Sequence, residues 1–184
     1  MKLFRIFFVV LTLTWAVFAL SGCAVYDVAV EERNVGEWAS DQKISIQIEQ
    51  AFLEDDLIKV LDFDAKSYEG RVYLVGEYES RAQVDRAVSI AKGVEGVRTV
   101  TTYLLPKRAE DHCGTTDNLE IFGNVKKALV SDENIWSTNI DIETVQCNVV
   151  LMGIVGTQAE KDAAYRHAKA VKGVRSVKSY ITVR

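Results

Sequence analysis

The sequence predicts an α+β chain made of two tandem copies of one unit, helix-strand-strand-helix-strand, each a small mixed three-stranded sheet covered by two helices. Three observations predict it. Sliding the 184-residue chain by 77 positions superposes its halves without a gap, with 19 identities in the 65 pairs from Asp41/Asn118 to Leu105/Thr182; repetition of this kind marks the unit that folds. Within each copy the apolar residues recur first with a helical period and then alternate as in strands. Helix-start and turn signals fall at matching places in both copies.

The first element is a helix, about Asp41 to Leu53 and Asp117 to Val130. Ile44, Ile48, Ala51 and Phe52 in one copy, and Ile121, Val125, Ala128 and Leu129 in the other, form a single apolar stripe. Next comes a strand in which Phe63 and Ala65, or Ile140 and Ile142, alternate with polar residues. Glu69-Gly70 and Gln146-Cys147 supply the turn into a second strand, Val72 to Gly76 and Val149 to Gly153. A turn this tight makes an antiparallel hairpin.

The second helix starts at Ser80-x-x-Gln83 and Thr157-x-x-Glu160, both read as capping boxes. Its buried stripe is expected to be Ala87, Val88, Ala91 and Val94, or Ala164, Tyr165, Ala168 and Val171. Gly96 and Gly173 are placed to end it in the left-handed conformation. A last strand runs from Val97 and Val174, parallel to the second because a helix connects them. Units of about 70 residues bury only ~60% of their surface and are marginal alone, so the copies are expected to pack together.

The amino terminus differs in kind. Lys2 and Arg5 lead into the apolar run Ile6 to Leu20, which meets Leu20-Ser21-Gly22-Cys23. This is the layout of a secretory signal peptide, and its apolar core is shorter than the ~20 residues that cross a bilayer as a helix. The Leu-Ser-Gly-Cys sequence resembles the lipobox of bacterial lipoproteins, which implies cleavage before Cys23 and lipidation of that cysteine. Ala24 stands where an aspartate would imply retention at the inner membrane, so the resemblance implies the outer membrane, periplasmic face. The expected division is a signal peptide over 1–22, a lipidated tether over 23–37, a first domain over 38–107, a linker over 108–114 and a second domain over 115–184.

Without residues 1–22 the chain has 20 basic and 26 acidic side chains, a balance that argues against nucleic acid as a partner. With Cys23 given to lipid, Cys113 and Cys147 remain in an oxidising compartment, either as a disulfide or as two free thiols. They do not suit a metal, because the histidines are His112 and His167 and no paired ligand spacing is present. Phosphate-binding, nucleophile-elbow and zinc-protease motifs are absent from the sequence. His167 is expected to be solvent-exposed, without a carboxylate partner, and no enzyme, metal or cofactor is expected beyond the covalent lipid.

Val72-x-Leu74-x-Gly76 before an alanine-rich helix, with Val94-x-Gly96-Val97-x-x-Val100 after it, resembles the BON domain. Val149-x-Leu151-x-Gly153 and Val171-x-Gly173-Val174-x-x-Val177 repeat the pattern. Two such domains behind a lipobox resemble the dual-BON outer-membrane lipoproteins of the DolP type. That resemblance implies binding of anionic phospholipid, a role in envelope integrity and support of outer-membrane protein assembly. It also implies that lipid contact lies on the first helix of the second domain, here around Leu119, Phe122, Lys126 and Lys127. The family's early tryptophan in that helix aligns with Glu120, and Trp136, after the helix, is then either a replacement lipid contact or part of the core. Charge favours the same half: residues 38–107 have 9 basic and 12 acidic side chains, residues 115–184 have 9 and 8. The other function expected is a periplasmic protein-binding scaffold or chaperone-like factor for envelope proteins, using exposed sheet faces or the groove between the copies.

Overall fold

The computed structural model describes residues 32–59, 62–109 and 112–184; the expected signal peptide, Cys23, Ala24 and most of the tether lie outside them. The first repeat contains α1 (Val35–Leu53), β1 (Phe63–Tyr68), β2 (Arg71–Tyr78), α2 (Arg81–Gly93) and β3 (Thr99–Pro106). The second contains α3 (Thr115–Val130), a 3₁₀ turn (Ser137–Asn139), β4 (Ile140–Val145), β5 (Asn148–Val155), α4 (Gln158–Ala170) and β6 (Ser176–Val183). The sheets have the orders β1-β2-β3 and β4-β5-β6. In each, the hairpin is antiparallel and the last strand parallel, in equivalent register: Ala65 pairs with Leu74 as Ile142 pairs with Leu151, and Val72 with Val100 as Val149 with Val177.

Helix starts differ from expectation for a local reason. Asn34 caps α1 through a reciprocal box with Glu37, so the helix begins at Val35, six residues before the expected Asp41 and within the expected tether. The amide of Gly114 donates to Asp117 Oδ2 at 2.8 Å, and α3 begins at Thr115. Ser80 and Gln83 form the expected box, whereas Thr157 caps α4 in one direction only. Glu160 instead accepts the amide of Trp136 at 2.8 Å. The helices α2 and α4 end at Gly93 and Ala170, three residues ahead of Gly96 and Gly173, whose φ values of 90° and 91° turn the chain into the last strand. In α4, Ala163 takes the buried place expected for Tyr165, which is exposed.

Three apolar clusters hold the molecule together. One lies under α1 and α2, with Ile48, Ala65, Leu74 and Ala87 fully buried. Its counterpart under α3 and α4 contains Val125, Leu129, Leu151 and Ala164. The third lies between the sheets: Tyr68, Tyr73 and Val75 meet Val145, Val150, Met152 and Ile154, with Tyr103, Leu105 and Tyr180 at its margin. The sheet faces are therefore not exposed, contrary to the scaffold expectation. Every residue of β5 after Asn148 is buried, so both its faces need cover, and the other repeat's sheet supplies it. Gln146 Nε2 donates to Glu77 Oε1 at 2.7 Å and to the Pro106 carbonyl at 2.8 Å. Arg184 Nη1 donates to Glu37 Oε2 at 3.1 Å, and its Nη2 lies 3.8 Å from Oε1 of Glu69 in the first repeat's hairpin turn. The hairpin turn of each repeat thus meets the strand ends of the other.

At the margin of this interface Glu143, on β4, has a pKa raised to about 7, first by burial and next by the charge of Asp64, with Lys66 opposing and Asp141 and Glu49 adding to the rise. The unfolded chain loses this proton near 4.5, so across the window from 4.5 to about 7 the folded state holds a proton that the unfolded state has released. Stability is expected to fall as pH rises through that window and to level off above it. Chemical denaturation of Glu143→Gln between pH 5 and pH 8 is expected to show a smaller fall, leaving the variant about 1 kcal/mol more stable than the parent at pH 8, a figure discounted because the side chain is partly exposed.

Candidate functional site

The helix α3 turns one stripe, Ile121, Val125 and Leu129, into the core of its repeat. At 100° per residue, Leu119, Phe122, Lys126 and Val130 fall within a strip about 80° wide that flanks the buried stripe on one side. Leu119 is 68% exposed, Val130 61% and Phe122 38%. Lys126 Nζ donates to the Ser137 carbonyl at 3.2 Å, and Lys127 is exposed on one flank of the strip. Glu120 lies on that same flank, about 100° from Leu119, where it lines a separate groove with His112, Lys172 and Arg175. Its charge therefore does not interrupt the apolar strip. Trp136, just beyond the helix, is 50% exposed.

The same positions on α1 are Gln42, Ser45, Glu49 and Leu53. There Ser45 is buried, its Oγ accepting the Ser67 amide at 3.0 Å. Two repeats with one backbone thus differ along this strip, which on α1 is polar except for exposed Leu53 and on α3 is apolar with Lys126 in line.

A polar latch fastens each first helix to its own hairpin. The carboxylate of Asp41 accepts the Glu69 amide at 2.7 Å, the Gly70 amide at 2.9 Å, the Ser67 hydroxyl at 2.8 Å and Arg33 Nη1 at 2.8 Å. Burial alone would raise its pKa, but the Gly70 and Glu69 amides, the Ser67 hydroxyl and Arg33 outweigh that and hold it below the usual carboxylate range. Asn118 is the equivalent residue, its Oδ1 accepting the Cys147 amide at 2.9 Å. Cys147 occupies the place of Gly70 with φ at 58° and is joined to Cys113 through an S–S bond of 2.07 Å. That bond ties the linker to the hairpin at the start of α3.

Residues 40–105 and 117–184 each match the BON domain. The chain belongs to the BON-domain family. Its BON repeats are 36% identical to Osmotically-inducible protein Y of Escherichia coli over 147 residues, covering 79% of this chain and 73% of that protein. Outer membrane lipoprotein DolP of Haemophilus influenzae is 29% identical over 157 residues, covering 85% of this chain and 81% of its own. The 21 kDa hemolysin of Actinobacillus pleuropneumoniae is 23% identical over 168 residues, covering 89% and 84%.

Of the residues picked from sequence, Leu119, Phe122 and Lys126 come together on the second BON repeat, with Lys127 on their flank and Trp136 following the helix. Sequence reasoning missed Val130, which continues the strip, and the Asp41 latch. A polar residue at the head of a buried stripe, Asp41 before Ile44 and Ile48 and Asn118 before Ile121 and Val125, was the available signal. His167 departs from expectation: its Nε2 lies 2.8 Å from Asp132 Oδ2. That pair, followed by the Asn134 amide and side chain, holds the Asp132 carboxyl at about 2. Among the described residues no group of three or more His, Cys, Asp or Glu could hold a metal ion, and no helix is long and apolar enough to cross a membrane.

Proposed function

We propose that this BON protein is a non-enzymatic lipoprotein, anchored through lipid on Cys23 to the periplasmic face of the outer membrane, that binds anionic phospholipid with the exposed apolar flank of α3 and supports outer-membrane integrity. The observation that carries the reading is the exposed strip Leu119, Phe122 and Val130 with Lys126 in line and Lys127 beside it. Apolar side chains at this spacing enter the boundary between headgroups and acyl chains, and lysines near an anionic surface add about 1 kcal/mol each. The division of the sequence into a leader over 1–22, a tether and two domains belongs to the same proposal. The Leu-Ser-Gly-Cys sequence and the relative named as an outer membrane lipoprotein support the anchor.

Flotation of the unlipidated chain from residue 24 tests the binding. Vesicles containing phosphatidylglycerol are expected to carry it and phosphatidylcholine vesicles to leave it behind. Leu119→Ser with Phe122→Ser is expected to weaken capture about tenfold, a loss of about 1.4 kcal/mol. Equal flotation on both vesicles would refute the reading.

One observation favours a second reading, the periplasmic protein scaffold. The outer edge strand β3, Thr99–Pro106, contains no charged residue, whereas solvent-facing edges usually include one. An extended segment of an envelope protein would add there. Cross-linking through a photoreactive residue at Thr101 tests it: adducts with envelope proteins support this reading, and their absence leaves the edge without that role.

A further inference from the structure

The chain that leads back to Cys23 leaves the folded body at a defined place. Arg184, the last residue, donates from Nη1 to the Glu32 carbonyl at 3.1 Å. Glu32 also lies against Gly156, where an added Cβ would stand 3.0 Å from Glu32 Oε1. Arg33 is buried, bonded to Asp41 and to the Ser67 carbonyl, with its guanidinium 5.0 Å from the Tyr68 ring centre. The tether root is thus fixed beside the junction between β5 and α4, at Gly156.

Trp136 sits at that same junction. Its amide donates to Glu160 Oε1 at 2.8 Å, and Glu160 is in the first turn of α4. The end of α3 stops short of it, since Asp132, just past the helix, pairs with His167 in the last turn of α4, and the following segment leads on to Trp136. Trp136, 50% exposed, therefore lies at the pole from which the tether departs.

We infer that this pole faces the membrane, with Trp136 entering the headgroup region of the bilayer that holds Cys23. The inference rests on the lipid anchor and the α3 face proposed above, and adds to them an orientation and a second contact point. Nine residue steps separate Cys23 from Glu32, a reach of about 32 Å at most, so the anchor keeps the tether root within that distance of its own membrane. The indole suits that depth, with an apolar body and a polar N–H. Among the acidic side chains at this pole, Glu160 accepts the Trp136 amide, Glu37 is paired with Arg184, and Glu32 lies at the root itself.

The test uses the chain from residue 23 with Trp38→Phe, which leaves Trp136 as its one tryptophan. Cys23, the thiol outside the Cys113–Cys147 bond, is coupled to a maleimide phospholipid in vesicles of phosphatidylethanolamine and phosphatidylglycerol that contain phosphatidylcholine brominated near the headgroup. Trp136 emission is expected to shift to the blue and to be quenched about twofold. A second reporter, Phe122→Trp with Trp38→Phe and Trp136→Phe, reads the other end of the α3 strip. Quenching of that reporter without quenching of Trp136 would overturn the orientation and leave the α3 face standing; quenching of neither would overturn both. If Trp38→Phe disturbs the fold, 5-fluorotryptophan in the parent chain separates the two indoles, and broadening of the Trp136 line by a paramagnetic lipid gives the same decision.

Discussion

Asp41→Ala is expected to cost about 3 kcal/mol, measured as a shift of the urea midpoint, because it removes one partner of a buried ion pair together with the acceptor of two turn amides and a hydroxyl. Arg33 and Asp41 are both almost fully buried, and the Asp41 carboxylate also satisfies two turn amides and a hydroxyl. Alanine leaves the Glu69 and Gly70 amides and the Ser67 hydroxyl without that acceptor. Asp41→Asn is the informative control. Its amide oxygen can hold one turn amide, as Asn118 does in the second repeat, so a loss of about 1–2 kcal/mol is expected. The pH response separates the two effects. A carboxyl held below its ordinary 3.8 contributes stability above that pH and loses it as pH falls through the folded value. The parent is therefore expected to weaken on that acid limb, and Asp41→Asn to lack this part of the loss.

Gly153→Ala is expected to be comparably damaging. Gly153 lies within β5 at φ 147°, and an added Cβ would stand 2.0 Å from the Asn139 carbonyl oxygen. The obstacle is backbone, so either β5 or the start of β4 must move, at a cost of about 3 kcal/mol or more. Gly76 faces the Asp62 carbonyl at the same 2.0 Å, which explains why both copies have glycine there. Gly123→Ala on α3 provides the contrast. Nothing lies within 4 Å of its added Cβ, and replacing a helical glycine there should stabilise by up to about 1 kcal/mol. Thermal melts of the three proteins compare these effects directly.

Much of this architecture was legible in the sequence because it is local. The capping residues Ser80 and Thr157, the turn glycine Gly70 and the positive-φ glycines Gly96 and Gly173 each act within a few residues of their position. What escaped are contacts set by the whole fold. Helical periodicity identified the buried side of α3 but not what covers the second face of β5. The signal was nevertheless present, since Val149 to Val155 is apolar apart from one glycine, where a half-exposed strand would alternate. Tyr165 was assigned to the core by spacing alone, and packing placed the smaller Ala163 there instead. The His167–Asp132 pair and the Trp136–Glu160 bond span 35 and 24 residues, so neither is visible to a local pattern. For the candidate site, the resemblance supplied the helix, while the exposed strip depends on which residues the fold leaves uncovered.

The sheet-to-sheet core also determines how function must be measured. Splitting the repeats would expose Tyr73, Val150 and Met152, so the whole chain is the proper object. The most direct test of the α3 face is backbone amide NMR of the whole unlipidated chain, titrated with micelles containing phosphatidylglycerol. Shifts are expected at Leu119, Phe122, Lys126, Lys127 and Val130, with Gln42, Ser45 and Glu49 on α1 unchanged. Perturbation centred on α1 or on the β3 edge, or none at saturating lipid, would contradict the account.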